Sequence, residues 1–245
     1  MSNVLISGDW HGYKPALERA CVLASENGCQ HIFQVGDFGL WPGRKGMQFL
    51  DDCQELASLY GLDIFAVPGN HDWHPEWIRL LNSDNPLHTS TGGVHVRSNV
   101  VLLRRANIFS WFGRTWAVAG GASSIDKDLR TPDRDWWWQE ELTDEEADRL
   151  QSKVDILLTH DASNKTPWGF RLIPDLQSQI HRQRIDRVIT NTLPEVHFHG
   201  HMHKRFEWEN DVQGHVTRTY GLDCNGAKDS NGVLNTKTLE FRFLD

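Results

Sequence analysis

Five short stretches of this chain combine a turn with side chains able to hold metal ions. They are Gly8-Asp9-Trp10-His11-Gly12, Gly36-Asp37, Gly69-Asn70-His71-Asp72, Thr159-His160 and Gly200-His201-Met202-His203. Carboxylate, amide and imidazole donors suit divalent first-row ions better than thiolate-selecting ones, and histidine is the commonest metal-binding side chain. The last stretch continues an alternation that starts at His197 and His199. Residues two apart in an extended segment point the same way, so four imidazoles could converge on one place. Taken alone, that run fits a metal site, a pH-sensitive patch or a partly exposed strand.

The five stretches share a setting, because each follows a run that reads as a strand. Val4 to Ser7, Ile32 to Val35 and Ile64 to Val67 are apolar runs ending in glycine or Pro-Gly. Between them lie helical patterns at about Pro15 to Glu26 and about Met47 to Tyr60, with Pro15 suited to a first turn and Gly28 and Gly61 to helix ends. This β-α-β-α-β order implies parallel strands with right-handed crossovers. Further strands are expected at Val100 to Leu103, Ile108 to Phe112, Thr115 to Ala119, Val154 to Thr159 and Glu195 to His199. Thr143-Asp144-Glu145-Glu146 reads as a capping box opening a helix through about Gln151, and a second helix is expected from about Pro174 to Arg187. Antiparallel strands at His215 to Tyr220, Val233 to Asn235 and Thr238 to Phe243 close the chain. In open α/β sheets ligands bind at the carboxyl ends of strands, so the five stretches can meet at one face. The glycines ahead of Asp9, Asp37, Asn70 and His201 permit the sharp turns this needs.

In order and content the blocks D-x-H, G-D, G-N-H-D, a lone His and G-H-x-H, spanning residues 8 to 203, resemble the calcineurin-like metallophosphoesterase superfamily. The resemblance implies an α/β fold, a four-layer α/β/β/α sandwich of two mixed sheets flanked by helices. It implies one ion held by Asp9, His11, Asp37 and His203, and a second held by Asp37, Asn70, His160 and His201, with Asp37 as the bridge. Two divalent ions about 3.5–4 Å apart clamp a phosphate and activate a bridging hydroxide for attack. Mn is the expected metal, with Fe, Zn, Ni or Mg as alternatives. Two dications, two carboxylates and a hydroxide leave one positive charge, which suits a phosphodiester anion. The resemblance also makes His71 the general acid, with Asp72 holding its other ring nitrogen; the plainer reading of His71 is a structural residue beside Asn70.

Departures within the family narrow the function. Serine/threonine phosphatases place an arginine after the second block, whereas Asp37 here is followed by Phe38-Gly39-Leu40-Trp41. Asp72 and His201-Met202-His203, with Gly120-Gly121-Ala122-Ser123-Ser124 and Thr159-His160-Asp161-Ala162, look like the short metallophosphoesterases of bacteria and phages. That points to a phosphodiesterase of small substrates such as cyclic nucleotides, the 2′,3′-cyclic ones included. The alternatives are a phosphomonoesterase or dinucleoside-polyphosphate hydrolase, a nuclease, and a scaffold of this fold, which the complete ligand set argues against.

The remaining candidates have plainer readings. His197 and His199 lie on a strand and suit packing. Arg44, in Leu40-Trp41-Pro42-Gly43-Arg44, could reach a phosphate but reads better as a solvated loop residue. Trp136-Trp137-Trp138 could stack on a nucleobase, although packing a lid is the simpler role. Asp133 to Arg149, with eight acidic residues and two arginines, reads as a solvated loop and helix. The 245 residues, 39% hydrophobic and 24% charged, fit a single globular domain over 1–245. A net charge of -8 argues against a duplex nucleic-acid partner. Cys21, Cys29, Cys53 and Cys224 show no paired spacing, and with no leader pattern or membrane-length apolar run they point to a cytoplasmic protein.

Overall fold

The computed structural model describes residues 3–83, 89–167 and 175–244. Its first sheet contains Asn3–Ser7 (β1), His31–Gln34 (β2), Asp63–Ala66 (β3), Val94–Arg97 (β4) and Val100–Leu102 (β5). The second contains Asn107–Trp111 (β6), Arg114–Ala119 (β7), Ile156–Thr159 (β8), Val196–His199 (β9), Phe206–Val212 (β10) and His215–Gly221 (β11). Asn231–Asn235 (β12) and Phe241–Leu244 (β13) return to the first sheet, whose order is β13-β12-β1-β2-β3-β5-β4, while the second runs β10-β11-β9-β8-β7-β6. β1, β2, β3 and β5 are mutually parallel, as are β7, β8, β9 and β11.

Alternation along the strands builds four layers. Val4 and Ile6 of β1 join Ile156 and Leu158 of β8 and Val196 and Phe198 of β9 in the core between the sheets. Phe33 stacks on Trp116 across that core at 4.5 Å between centroids, a contact worth about 0.5–1.5 kcal/mol beyond its buried area. Leu5, with the opposite parity, faces the helices Lys14–Glu26 (α1) and Arg44–Tyr60 (α2). On α1 the buried positions Ala16, Leu17, Ala20, Cys21 and Ala24 form one stripe, as a helix on a sheet requires. Leu157 faces the other way, onto Asp144–Arg149 (α4) and Leu176–Thr192 (α5). Helices therefore cover the outer face of each sheet, which is the α/β/β/α sandwich expected.

Several boundaries differ from the sequence reading. α2 starts at Arg44, a turn earlier than Met47, with Gly43 at φ 81 supplying its entry. The helix His74–Leu81 (α3) and the strand β10 were outside the expected elements. α5 runs on to Thr192, and its proposed start at Pro174 lies outside the described residues. The capping box is present as expected: Thr143 accepts from the Glu146 amide, and the Glu146 side chain accepts from the Thr143 amide. Among the described residues no helix is long and apolar enough to cross a membrane.

Candidate metal centre

The turns after β1, β2 and β3 in one sheet and after β8 and β9 in the other meet at one rim. There Asp9, His11 and His203 bring ligand atoms within 4.8 Å of one another, and so do Asp37, His160 and His201. His11 Nε2 also lies 3.2 Å from Asp37 Oδ2, and His160 Nε2 lies 3.4 Å from the same oxygen. Asn70 joins the second group through Oδ1, 3.0 Å from His160 Nε2. All seven ligand candidates are thus together, in two groups that share Asp37.

Their neighbours fix which atom each offers. His11 Nδ1 is 3.0 Å from Asn225 Oδ1 and His160 Nδ1 is 2.9 Å from the Val35 carbonyl. Each acceptor takes the Nδ1 proton and leaves the Nε2 lone pair facing inward. The Asn70 amide donates through Nδ2 to Ser124 Oγ at 2.9 Å, which turns Oδ1 toward His160. His160 Nε2, Asn70 Oδ1 and Asp37 Oδ2 are then three acceptors facing one place, an arrangement that calls for a cation. Asp9 and Asp37 are 0% and 1% exposed, and buried carboxylates demand compensating charge. Backbone amides supply part of it: His71 N donates to Asp37 Oδ1, and His201 N to both Asp9 oxygens.

The protonation equilibria show the same demand. Burial alone would lower His160, but Asp37 and Asp9 outweigh it and lift the ring to about 10. The bond to Asp9, with Cys224 alongside, raises His203 to about 10. Burial holds His201 down at about 4. Divalent ions would supply the charge that these rings otherwise gain as protons. The donor set therefore fits two ions.

The backbone is built around the same groups. His11, Asp37, His201 and His203 all have positive φ, between 47° and 62°. Non-glycine residues hold that conformation at an expense of roughly 1–3 kcal/mol each, and such residues gather at functional sites. Gly36, at φ 103, is required for space as well: a Cβ there would lie 2.2 Å from His160 Nδ1.

A family model described as calcineurin-like phosphoesterase matches residues 2–205. The chain belongs to that family. Among solved structures, this phosphoesterase is similar to TT1561 of Thermus thermophilus, at 15% identity and a TM-score of 0.60, over 100% of this chain and 98% of that one. It is also similar to a dimetal phosphatase from Danio rerio, at 11% identity and a TM-score of 0.53, over 95% and 92% of the two chains. These likenesses show the fold. A search of the curated proteins finds no match.

Other expected residues of the phosphoesterase fall differently. Asp72 is not the partner of His71. Its carboxylate accepts from the amides of Gly39 and Leu40 at Oδ1 and of Phe38 and Gly69 at Oδ2, at 2.9–3.2 Å. It ties the Asp37 turn to the Asn70 turn, because its side chain points into the loop bundle while that of His71 points out. Arg44 is exposed, and its surface hollow shares only Trp41 with the cleft beside His71. His197 is buried against Thr159 Oγ1 at 2.8 Å and Thr219 Oγ1 at 3.4 Å, and buried His199 has Nδ1 3.1 Å from the Gly200 carbonyl. Both rings are on the strand face away from Val196 and Phe198, as packing residues.

Four residues with a part in the site were not found from sequence. Asn225 orients His11, and Ser124 orients Asn70. Glu140 stands behind Ser124, accepting from its amide at 2.7 Å and its hydroxyl at 2.8 Å. It is 1% exposed, against the expectation of a solvated acidic run, and burial raises its carboxyl to about 7. Arg130 is the fourth; its guanidinium reaches His71 Nε2 at 2.9 Å. Only the Gly120-to-Ser124 stretch carried a sequence signal, and it did not single out the last serine.

Proposed function

We propose that this protein is a binuclear metal-dependent phosphodiesterase of small phosphodiesters such as cyclic nucleotides, the 2′,3′-cyclic ones included. The observation that carries the reading is the sharing of Asp37 between two ligand groups beside a cleft with His71 at its edge. One ion would be held by Asp9, His11, Asp37 and His203, the other by Asp37, Asn70, His160 and His201, with Mn favoured. When bound, such ions stabilise charge on a phosphoryl group and provide a nucleophile at neutral pH.

The chain's own residues do the rest. Asn70, held by Ser124, presents a neutral oxygen rather than a carboxylate, which keeps the centre net positive toward a singly charged diester. His71, half-buried, supplies the proton to the departing oxygen once Nε2, which accepts from Arg130 in this structure, has taken up a proton. Asp72 sets the loops from which Asp37, Asn70 and His71 project. Four free cysteines support a reducing, cytoplasmic setting. Arg130 beside His71 favours one second reading, a phosphomonoesterase or dinucleoside-polyphosphate hydrolase, since another cation suits a more highly charged substrate.

Manganese-loaded protein tests this with bis(4-nitrophenyl) phosphate, 4-nitrophenyl phosphate and single-stranded DNA, each repeated with a chelator. The diester is expected to lead the monoester by about tenfold or more in kcat/KM, a difference of about 1.4 kcal/mol in transition-state binding. A monoester preference moves the protein to the second reading. Absence of metal-dependent turnover with all three overturns the enzyme assignment.

A further inference from the structure

A cleft of about 310 Å³ adjoins the ligand groups, lined by Trp41, Pro42, His71, Arg130, Arg134 and Trp137, with Asp135 at its edge. That volume is at the low end for small-molecule sites, enough for one ring system joined to a phosphate. The two indoles belong to unconnected parts of the chain. Trp41 lies over Gly12, whose missing Cβ would sit 3.1 Å from its ring, so this wall stands next to His11. Trp137 is 3% exposed and fixed by its packing.

Arg130 lines the same cleft. Its Nε and one terminal nitrogen donate to Asp126 Oδ2 at 3.0 and 2.8 Å, and that terminal nitrogen also reaches His71 Nε2 at 2.9 Å. Its side chain is only 11% exposed. A guanidinium can only donate, so His71 Nε2 is the acceptor here. A phosphate oxygen arriving beside His71 offers Arg130 a charged acceptor in place of a neutral one, and charge-assisted bonds are roughly twice as strong. Asp135 Oδ1 accepts from the Thr131 amide at 2.5 Å.

The geometry points to this cleft as the leaving-group subsite, built for an ester whose leaving group carries a planar ring, with Arg130 as the residue that anchors the ester oxygens. This rests on the phosphoesterase reading above and adds the substrate class to it: ring-bearing phosphoesters, whether nucleotides or simple aryl esters.

Sulfate esters carry the same ring and a tetrahedral anion without being phosphoesters. Phenyl sulfate, adenosine 5′-sulfate and methyl sulfate would be titrated calorimetrically into manganese-loaded wild type and into Trp41→Leu, Arg130→Ala and Arg130→Lys. The two ring esters are expected to bind about tenfold tighter than methyl sulfate, the scale of one stacked ring. Trp41→Leu is expected to remove that preference and leave methyl sulfate within about twofold. Arg130→Ala is expected to weaken all three about tenfold, with Arg130→Lys recovering part. Adenosine 5′-sulfate binding tighter than phenyl sulfate identifies nucleotides, and the reverse order identifies aryl esters. Equal binding of all three esters to wild type overturns the proposal, and so does unchanged affinity in Arg130→Ala. If Trp41→Leu does not fold, the wild-type order and the Arg130 pair decide. A ring preference without hydrolysis of any phosphoester would sink the proposed function and leave the cleft as a binding site for a ring and an anion.

Discussion

His71 Nε2 lies 2.9 Å from the Arg130 guanidinium and 3.9 Å from Asp37 Oδ2, so one ring nitrogen connects the cleft cation to the carboxylate shared by both ligand groups. The ring is placed to exchange partners as an ester enters.

If His71 protonates the leaving oxygen, His71→Ala should keep both ions and slow alkyl esters by about 10²–10⁴. Esters of nitrophenol, which leave without a proton, should slow far less. The check is kcat/KM against leaving-group pKa, together with metal content. A flat response across the series would remove the proton-donor role.

Asp37 and His201 should differ in the ions they release. Asp37→Asn weakens the oxygen shared by the two groups, so the purified variant should carry at most one ion per chain. His201→Ala removes a ligand from the second group alone and should leave one ion in the first. Elemental analysis after dialysis reads both. Two ions retained in Asp37→Asn would refute the bridging assignment.

Asp72 is expected to act on stability rather than on proton transfer. Asp72→Ala leaves four loop amides without their acceptor, each uncompensated donor being worth about 1–3 kcal/mol. Denaturant unfolding should therefore show a loss of at least about 3 kcal/mol. Wild-type stability with a selective loss of kcat would restore Asp72 to partnership with His71.

Glu140 gives a pH signature. Its folded pKa of about 7 is above the ordinary glutamate value of 4.5. The folded state then binds more protons between those values, so its contribution to stability is greatest below pH 4.5 and declines until the pH passes 7. Glu140→Gln should accordingly melt closer to, or above, wild type at pH 8 than at pH 5. A melting-temperature difference constant across that range would contradict the shift.

What could be read from the chain, and what could not, follows from how local each signal is. Apolar runs ending in glycine and then a ligand-type residue located the rim, because strand, turn and donor are adjacent in sequence. Asp72 was misjudged for the same reason: it adjoins His71, yet neighbouring side chains in a turn diverge, and three of the four amides it binds are 32–34 residues away at Phe38, Gly39 and Leu40. Arg130 and Glu140 come from an irregular segment with no period, so nothing in the sequence aims them at His71 and Ser124. The start of α3 was legible in part, since Pro75 suits a first helical turn. Likewise Phe206-Glu207-Trp208-Glu209 alternates as a strand should.

The two ligand groups each draw on both sheets: Asp9 and His11 need His203, and Asp37 needs His160 and His201. Neither of these two groups is therefore complete within one half of the polypeptide, while His11, Asp37 and His71 lie together in the first half. During synthesis on the ribosome, the amino-terminal ligands emerge well before their counterparts beyond residue 200. Metal uptake by either full group would then be a late event in biogenesis, coupled to docking of the second sheet.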